Sequence, residues 1–212
     1  GADCEKRGAV MGKIMMLNGS PRAPKSNSKQ YAELFAKNVD MPTKYFAINK
    51  KNHLELCEEM ENFTEVLLVF PLYADGIPVT LLNFLKTLEK HPPKQKPRVS
   101  VLINCGFYEP EQNNIAVKMI QIFCKQQGYS FGSVLRIGSG EAILNTPLKW
   151  FVIRNIKRLA ASISEGRGEN LKVTMPLPKK MFVQASTTYW LNYGKRNGIT
   201  REQMETMEIE KE

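Results

Sequence analysis

The chain is poor in the residues that build metal and acid–base centres: its 212 residues include four cysteines and two histidines. Cys4, Cys57, Cys105 and Cys124 stand far apart and never form a C-x-x-C pair, so zinc and iron–sulfur sites lack their usual spacing. Only His53 and His91 could add imidazole ligands, so no metal is expected. The thiols are expected to be reduced and partly buried. Also missing are a Ser/His/Asp or Cys/His constellation, the G-x-x-x-x-G-K-S/T phosphate loop and the G-x-G-x-x-G dinucleotide turn.

An unbroken hydrophobic run is lacking too. The most apolar stretch, residues 66–85, has Asp75 as its only charge, but Pro71, Gly76 and Pro78 cut it into a short apolar run, a turn and a second run. That pattern reads as strand, loop and helix rather than a membrane span. The N-terminus is polar with no signal-peptide core, so a soluble cytoplasmic protein is expected. Residues 1–12 read as a polar extension outside the fold, with Gly1-Ala2 a cloning remnant and Met11 the expected start.

What is present is globular. Hydrophobic residues at 42% and charged residues at 24% exclude wholesale disorder, and the length suits one domain, residues 13–212, with a core of its own. The formal charge of +9 is unevenly placed. Residues 149–200 hold ten Lys or Arg against Glu165 and Glu169, whereas residues 201–212 hold five glutamates against Arg201 and Lys211. Such a basic segment attracts anionic substrates or acidic surfaces. Nucleic acid is not an expected partner, because none of its usual recognition motifs accompanies the charge.

Along the chain, apolar runs alternate with helical patterns. Lys13-Ile-Met-Met-Leu-Asn18, residues 44–48, 65–70, 98–104 and 130–137 read as strands too apolar to have a wet face. Helices are expected over residues 54–62, 80–90 and 114–127, the last closed by Gly128, and after a loop at 19–28 where Asn27 or Ser28 is the expected N-cap. Five strands alternating with helices imply a doubly wound, five-stranded parallel sheet in a three-layer α/β/α sandwich. Pro147 opens an amphipathic helix in which Leu148, Phe151, Val152, Ile156, Leu159, Ala160 and Ile163 form one stripe, read as closing the sheet rather than binding a membrane. Residues 171–183 are expected to be extended, and a final helix could be capped by Thr200 with Gln203. The segment from about 145 to 212 is then a basic C-terminal extension of the domain.

In such a sheet, ligands bind beyond the carboxyl ends of the strands where strand order reverses. Three segments meet that description: Gly19-Ser-Pro-Arg-Ala-Pro-Lys-Ser-Asn-Ser28, Pro71-Leu-Tyr-Ala-Asp-Gly-Ile-Pro78 and Asn104-Cys-Gly-Phe-Tyr-Glu-Pro110. The first offers hydroxyl, amide and cationic donors beside a helix N-terminus, which suits a phosphate, although a polar loop with an ordinary N-cap has the same composition.

These residues resemble the flavodoxin-like NAD(P)H-dependent oxidoreductases that bind FMN, including the NADPH-dependent FMN reductases. The resemblance runs from Lys13 to about Ile143, carried most specifically by Leu17-Asn-Gly-Ser-Pro-Arg and Ser26-Asn-Ser28. It implies FMN as cofactor and NAD(P)H as co-substrate. Ser20, Arg22, Ser26, Asn27 and Ser28 would bind the FMN phosphate. Pro71, Leu72, Tyr73, Ala74, Asp75 and Gly76 would line the isoalloxazine, with the amides near 74–76 at its N5 and O4 edge, while Asn104, Gly106 and Phe107 would close the other side. Packing alone would also account for Tyr73 and Phe107, and Asp75 could simply cap the next helix. The reaction implied is hydride transfer from NAD(P)H and electron delivery to a small quinone, nitro, azo or flavin acceptor, with no catalytic side chain required. A flavodoxin-type electron carrier or a non-catalytic FMN-binding protein is the alternative, against which the basic charge argues. A homodimer is expected from the apolar surfaces at Tyr108, Trp150 and Phe151 and from Tyr189-Trp-Leu-Asn-Tyr193.

Overall fold

Every strand of the sheet points the same way, because each returns through a helix. The computed structural model describes residues 12–196 and Thr200, with backbone alone at 189–190 and 193–196. Tertiary contacts divide the chain into two compact units, Gly1–Thr174 and Met175–Glu212.

The first unit runs β1 (Ile14–Asn18), α1 (Asn27–Ala36), β2 (Thr43–Ala47), α2 (His53–Glu59), β3 (Glu65–Pro71), α3 (Val79–Lys90), β4 (Arg98–Asn104), α4 (Asn114–Gln127), β5 (Phe131–Ile137), α5 (Gly140–Leu144), α6 (Lys149–Ser164) and β6 (Asn170–Val173). The strands pair in parallel in the order β2-β1-β3-β4-β5-β6. Strand order therefore reverses at β1, where the chain first steps to β2 and then crosses back to β3.

Alternation along each strand divides the core into two layers. Met15, Leu17, Val66, Leu68, Phe70, Val101 and Ile103 share one cluster with Leu56, Leu81, Phe84, Val117 and Ile120 of α2, α3 and α4. The opposite parity, including Ile14, Met16, Leu67, Val69, Leu102 and Leu135, is equally buried on the face where α1 and α6 pack. The apolar stripe of α6 behaves as its spacing implies, with Val152, Ile156, Leu159, Ala160 and Ile163 buried. Gly128 ends α4 with a φ of 71°.

Several sequence expectations are corrected. The sheet has six strands, not five: Asn170–Val173 adds to the open edge of β5, and with Leu171 as its one fully buried side chain the strand is too short to announce itself by periodicity. The strands are not uniformly dry. β2 lies at the other edge, where Lys44 is exposed and Tyr45 and Phe46 are half-buried. The Pro147 helix begins at Lys149.

In the second unit the extended stretch stops short of Val183, because α7 (Lys179–Arg196) starts directly after Pro178, whose carbonyl accepts from the Phe182 amide at 3.1 Å. Proline fits ahead of a helix start, where an amide donor is not needed. Gln203, the expected capping partner of Thr200, lies outside the described residues, as does the extension at 1–11. The segment at 66–85 resolves into β3, a turn and α3, and among the described residues no helix is long and apolar enough to cross a membrane.

Candidate functional site

The loops after β1, β3 and β4 leave adjacent strands in register, Asn18 opposite Val69 and Pro71 opposite Asn104, so the three segments singled out in the sequence emerge at one end of the sheet. Gly19 begins the first loop at a close approach. A Cβ there would lie 3.0 Å from Cβ of Leu81 on α3, so only glycine fits without a shift.

Asn18 organises this loop. Its Oδ1 accepts from the Ser20 amide at 2.9 Å, and its Nδ2 donates to Ser26 Oγ at 3.2 Å and to the Tyr45 hydroxyl at 2.9 Å. Ser26 is extended, with φ −126° and ψ 152°, and its hydroxyl accepts from the Lys29 amide at 3.1 Å. The N-cap is therefore Ser26, not Asn27 or Ser28, because both of those already belong to the helix. Ser26 also donates to the Ala23 carbonyl at 3.3 Å, which spends its proton inside the loop.

Ser20 differs. It is 4% exposed and its oxygen accepts from the Arg22 amide at 3.2 Å, while its own proton meets no acceptor among the described residues. The same holds for the backbone amides of Asn27 and Ser28, the orphan donors of the first helical turn. Arg22 and Lys25 are exposed on the same loop, and no described carboxylate pairs with either. Buried or pre-aligned donors without acceptors, with free cations beside them, form a donor set that fits an acceptor-only dianion such as a phosphate monoester. Ser28 is 1% exposed and its oxygen accepts from Asn104 Nδ2 at 3.2 Å, so its hydroxyl ties the loop to β4.

Beyond β3, Tyr73 and Gly76 exchange both backbone hydrogen bonds, at 3.0 and 2.9 Å, around Ala74 (φ 43°) and Asp75 (φ 60°). Two left-handed central residues define a type I′ turn, usually built from Asn-Gly or Gly-Gly. An alanine there is strained, and strain of this kind concentrates at functional sites. The turn spends the Gly76 amide, leaving those of Ala74 and Asp75 free to face a ligand. Tyr73 is 49% exposed, which excludes core packing for its ring. Asp75 makes no cap: α3 follows Pro78 with no side-chain cap bond.

Beyond β4, Gly106 is exposed and Phe107 is 54% exposed, so that ring too stands outside the core. Asn104 is buried, with Nδ2 divided between Ser28 Oγ and the Phe70 carbonyl, so it braces the loops instead of reaching outward. Its carbonyl accepts from the Leu72 amide at 2.8 Å. Burial pushes the Cys105 thiol up, and its Sγ sits among the Phe107 and Glu109 carbonyls and Asn113 Nδ2.

Sequence reasoning missed two supports of the site. In the sequence Asn18 reads as a strand end, and Tyr31 carries no signal beyond its place after the 19–28 loop. Tyr31 is buried and its hydroxyl donates to the Gly140 carbonyl at 2.5 Å, tying α1 to the first residue of α5, while burial holds the phenol far above its usual pKa. A polar residue at the last position of the first strand was the available signal for Asn18. None existed for Tyr31.

No protein-family model and no curated protein matches this sequence. Solved structures do match in fold. Rubredoxin oxygen:oxidoreductase from Desulfovibrio gigas superposes with a TM-score of 0.56 at 13% identity over 72% of this chain, which spans only 35% of that protein. An NAD(P)H:quinone oxidoreductase from Methanothermobacter marburgensis gives 0.56 at 12% identity, covering 73% of this chain and 98% of the other. A flavodoxin of Streptococcus pneumoniae TIGR4 gives 0.54 at 11%, covering 72% and 98%. The fold is flavodoxin-like. In that fold, with its 2-1-3-4-5 order, the ligand crevice lies where β1 and β3 diverge, the position occupied here by the Gly19 loop and the Tyr73 turn. A sixth strand extends the pattern beyond β5.

Proposed function

We propose that this site binds FMN and that the protein is an NAD(P)H-dependent oxidoreductase delivering electrons to a small quinone, nitro, azo or flavin acceptor. The observation that carries the reading is the set of orphan donors at the switch point, Ser20 Oγ and the Asn27 and Ser28 amides, beside an exposed aromatic turn.

In this reading Ser20, Arg22 and the Asn27 and Ser28 amides hold the phosphate, with Ser26 and the Ser28 hydroxyl shaping the loop around it. Pro71, Leu72 and Tyr73 line the ring system, the Ala74 and Asp75 amides address its polar edge with Gly76 closing the turn, and Gly106 and Phe107, braced by Asn104, cover the other side. Bound FMN supplies the hydride and electron chemistry. The chain's part is to bind, orient and leave one face open, so no general acid or base is assigned.

The basic segment at 149–196 is proposed to draw in the anionic nicotinamide cofactor. Arg154 and Lys157 are exposed on α6, whereas Arg158 and Arg167 already pair with Glu165 and Glu169. A homodimer is the proposed assembly: Trp150 is 53% exposed and stacks on Phe151. The side chains of Tyr189, Trp190, Tyr193, Lys195 and Arg196 lie outside the described residues.

The deciding experiment is the visible spectrum of the purified protein. Oxidised-flavin bands that bleach anaerobically with NADPH are the expected result. Bleaching with dithionite alone points to an electron carrier, and riboflavin binding as tightly as FMN removes the phosphate site.

A further inference from the structure

A second set of polar groups gathers away from the flavin loops and shares no residue with them. A cleft of about 370 Å³ between α2 and α3 is lined by Lys50, Lys51, His53, Leu54, Lys86, Thr87, Lys90 and His91. Four lysines and both histidines of the chain thus line one recess.

Each wall is held by structure that precedes any ligand. The turn carrying Lys50 and Lys51 is locked by three side-chain bonds: Asn52 Oδ1 accepts from the Asn49 amide at 2.9 Å, Asn49 Oδ1 from the Lys51 amide at 2.8 Å, and Asn52 Nδ2 donates to the Ala47 carbonyl at 2.9 Å. On the facing wall Lys86 and Lys90 are four residues apart on α3 and share a helix face, and His91 follows as the helix's C-cap, its amide donating to the Thr87 carbonyl at 2.9 Å. Like charges at that spacing destabilise a helix.

Among the described residues nothing neutralises this charge. None of the four lysines is ion-paired among the described residues. The carboxylates of the same two helices, Glu55, Glu58, Glu59 and Glu89, do not line the cleft; Glu59 pairs with Lys44, and Glu89 accepts from Gln127 of α4. His53 packs edge-on against Phe84, and its Nε2 is buried with no hydrogen-bond partner among the described residues. The Thr87 hydroxyl donates back to the Asn83 carbonyl, so the one hydroxyl lining the cleft spends its proton inside its helix.

We propose that this cleft binds a compact polyphosphate, either free or carried on a nucleotide. Lysines line the cleft from two sides, the turn before α2 and the α3 face, which calls for a ligand made of acceptors with several charges in a small volume. A nucleic-acid strand is a poorer fit, because its phosphates need a basic stripe along a surface, not a recess. One apolar residue, Leu54, is exposed in the lining and gives a nucleoside its only hydrophobic contact.

Because the chain has two histidines and both line the cleft, their imidazole NMR signals report on this site alone. The full chain is titrated with sodium tripolyphosphate, ATP and orthophosphate at about 0.15 M salt, with and without FMN. The expected result is a saturable shift of both imidazole signals by tripolyphosphate, unchanged by FMN, with orthophosphate about tenfold weaker or worse because it offers fewer charges. ATP matching tripolyphosphate supports a site that reads phosphates alone, and ATP binding tighter supports a nucleotide-borne ligand. Lys86→Glu with Lys90→Glu, and separately the milder Lys50→Gln with Lys51→Gln, should each weaken tripolyphosphate about tenfold at an unchanged unfolding midpoint. No saturable shift, or equal affinity in wild type and both folded variants, overturns the proposal. Neither outcome depends on whether the protein reduces anything.

Discussion

The side-chain amide of Asn104 donates to the hydroxyl of Ser28 at 3.2 Å, joining the end of β4 to the first turn of α1 across 76 residues of chain. The same amide reaches the Phe70 carbonyl at 3.4 Å, so one buried side chain braces all three loops of the candidate site. Asn104→Ala should cost roughly 1–3 kcal/mol of stability, from two lost bonds and a cavity. Urea unfolding measures it, and FMN affinity should fall alongside. An unchanged midpoint removes the bracing role.

Arg22 and Ser20 are proposed to hold the phosphate by charge-assisted bonds, worth roughly 1.5–3 kcal/mol each. Arg22→Ala combined with Ser20→Ala should weaken FMN about tenfold or more and leave riboflavin little changed. Equal losses for both flavins would move the phosphate elsewhere.

Ala74 sits at φ 43° in the Tyr73–Gly76 turn. Glycine adopts that conformation without steric cost, so Ala74→Gly should stabilise by up to about 1 kcal/mol, whereas a β-branched Ala74→Val should destabilise by at least that much. Chemical denaturation of the pair gives the sign. The reverse order would show that the turn is not left-handed.

Burial pushes the Cys57 thiol up from 9.0 to about 11 and the Cys124 thiol to about 12. Unfolded thiols lose their protons near pH 9 while the native ones keep theirs, so across that window the unfolded state binds fewer protons and stability falls as pH rises. The slope is up to about 1.4 kcal/mol per pH unit for each thiol, and these groups contribute no slope below the unfolded value. Urea midpoints from pH 7 to pH 11 test this, with a decline starting near pH 9 expected. Native thiols should also resist alkylation at neutral pH; rapid labelling of Cys57 or Cys124 in the folded protein contradicts their burial.

Arg154 and Lys157 are exposed on α6 and pair with no carboxylate among the described residues. If they draw in the nicotinamide cofactor, the second-order rate of flavin reduction by NADPH should fall as salt rises, since screening acts over about 8 Å at physiological strength. Arg154→Glu with Lys157→Glu should flatten that dependence. Wild-type kinetics already flat in salt would leave the segment as a structural surface.

Much of the architecture was legible because it is written in local periods. The apolar runs of β1, β3, β4 and β5, the stripe of α6 and the glycine after α4 each report a backbone state through neighbours within a few residues. The Gly19 loop could be placed at a helix N-terminus for the same reason. Edge features left weaker traces: β2 is half-wet and β6 has one buried side chain, because an edge strand meets fewer neighbours and its sequence is less constrained.

What the sequence determined by itself was therefore the alternation of strand and helix and the composition of the loops between them. The tertiary structure alone decided which serine caps and which is left with a free proton, that alanine and aspartate would occupy a left-handed turn, that Asn104 and Tyr31 would tie distant segments together, and that six basic side chains from two helices and a turn would share one cleft. Those outcomes depend on strand order and register, which bring together residues dozens of positions apart. No pattern with a period of two or of 3.6 residues records such a pairing.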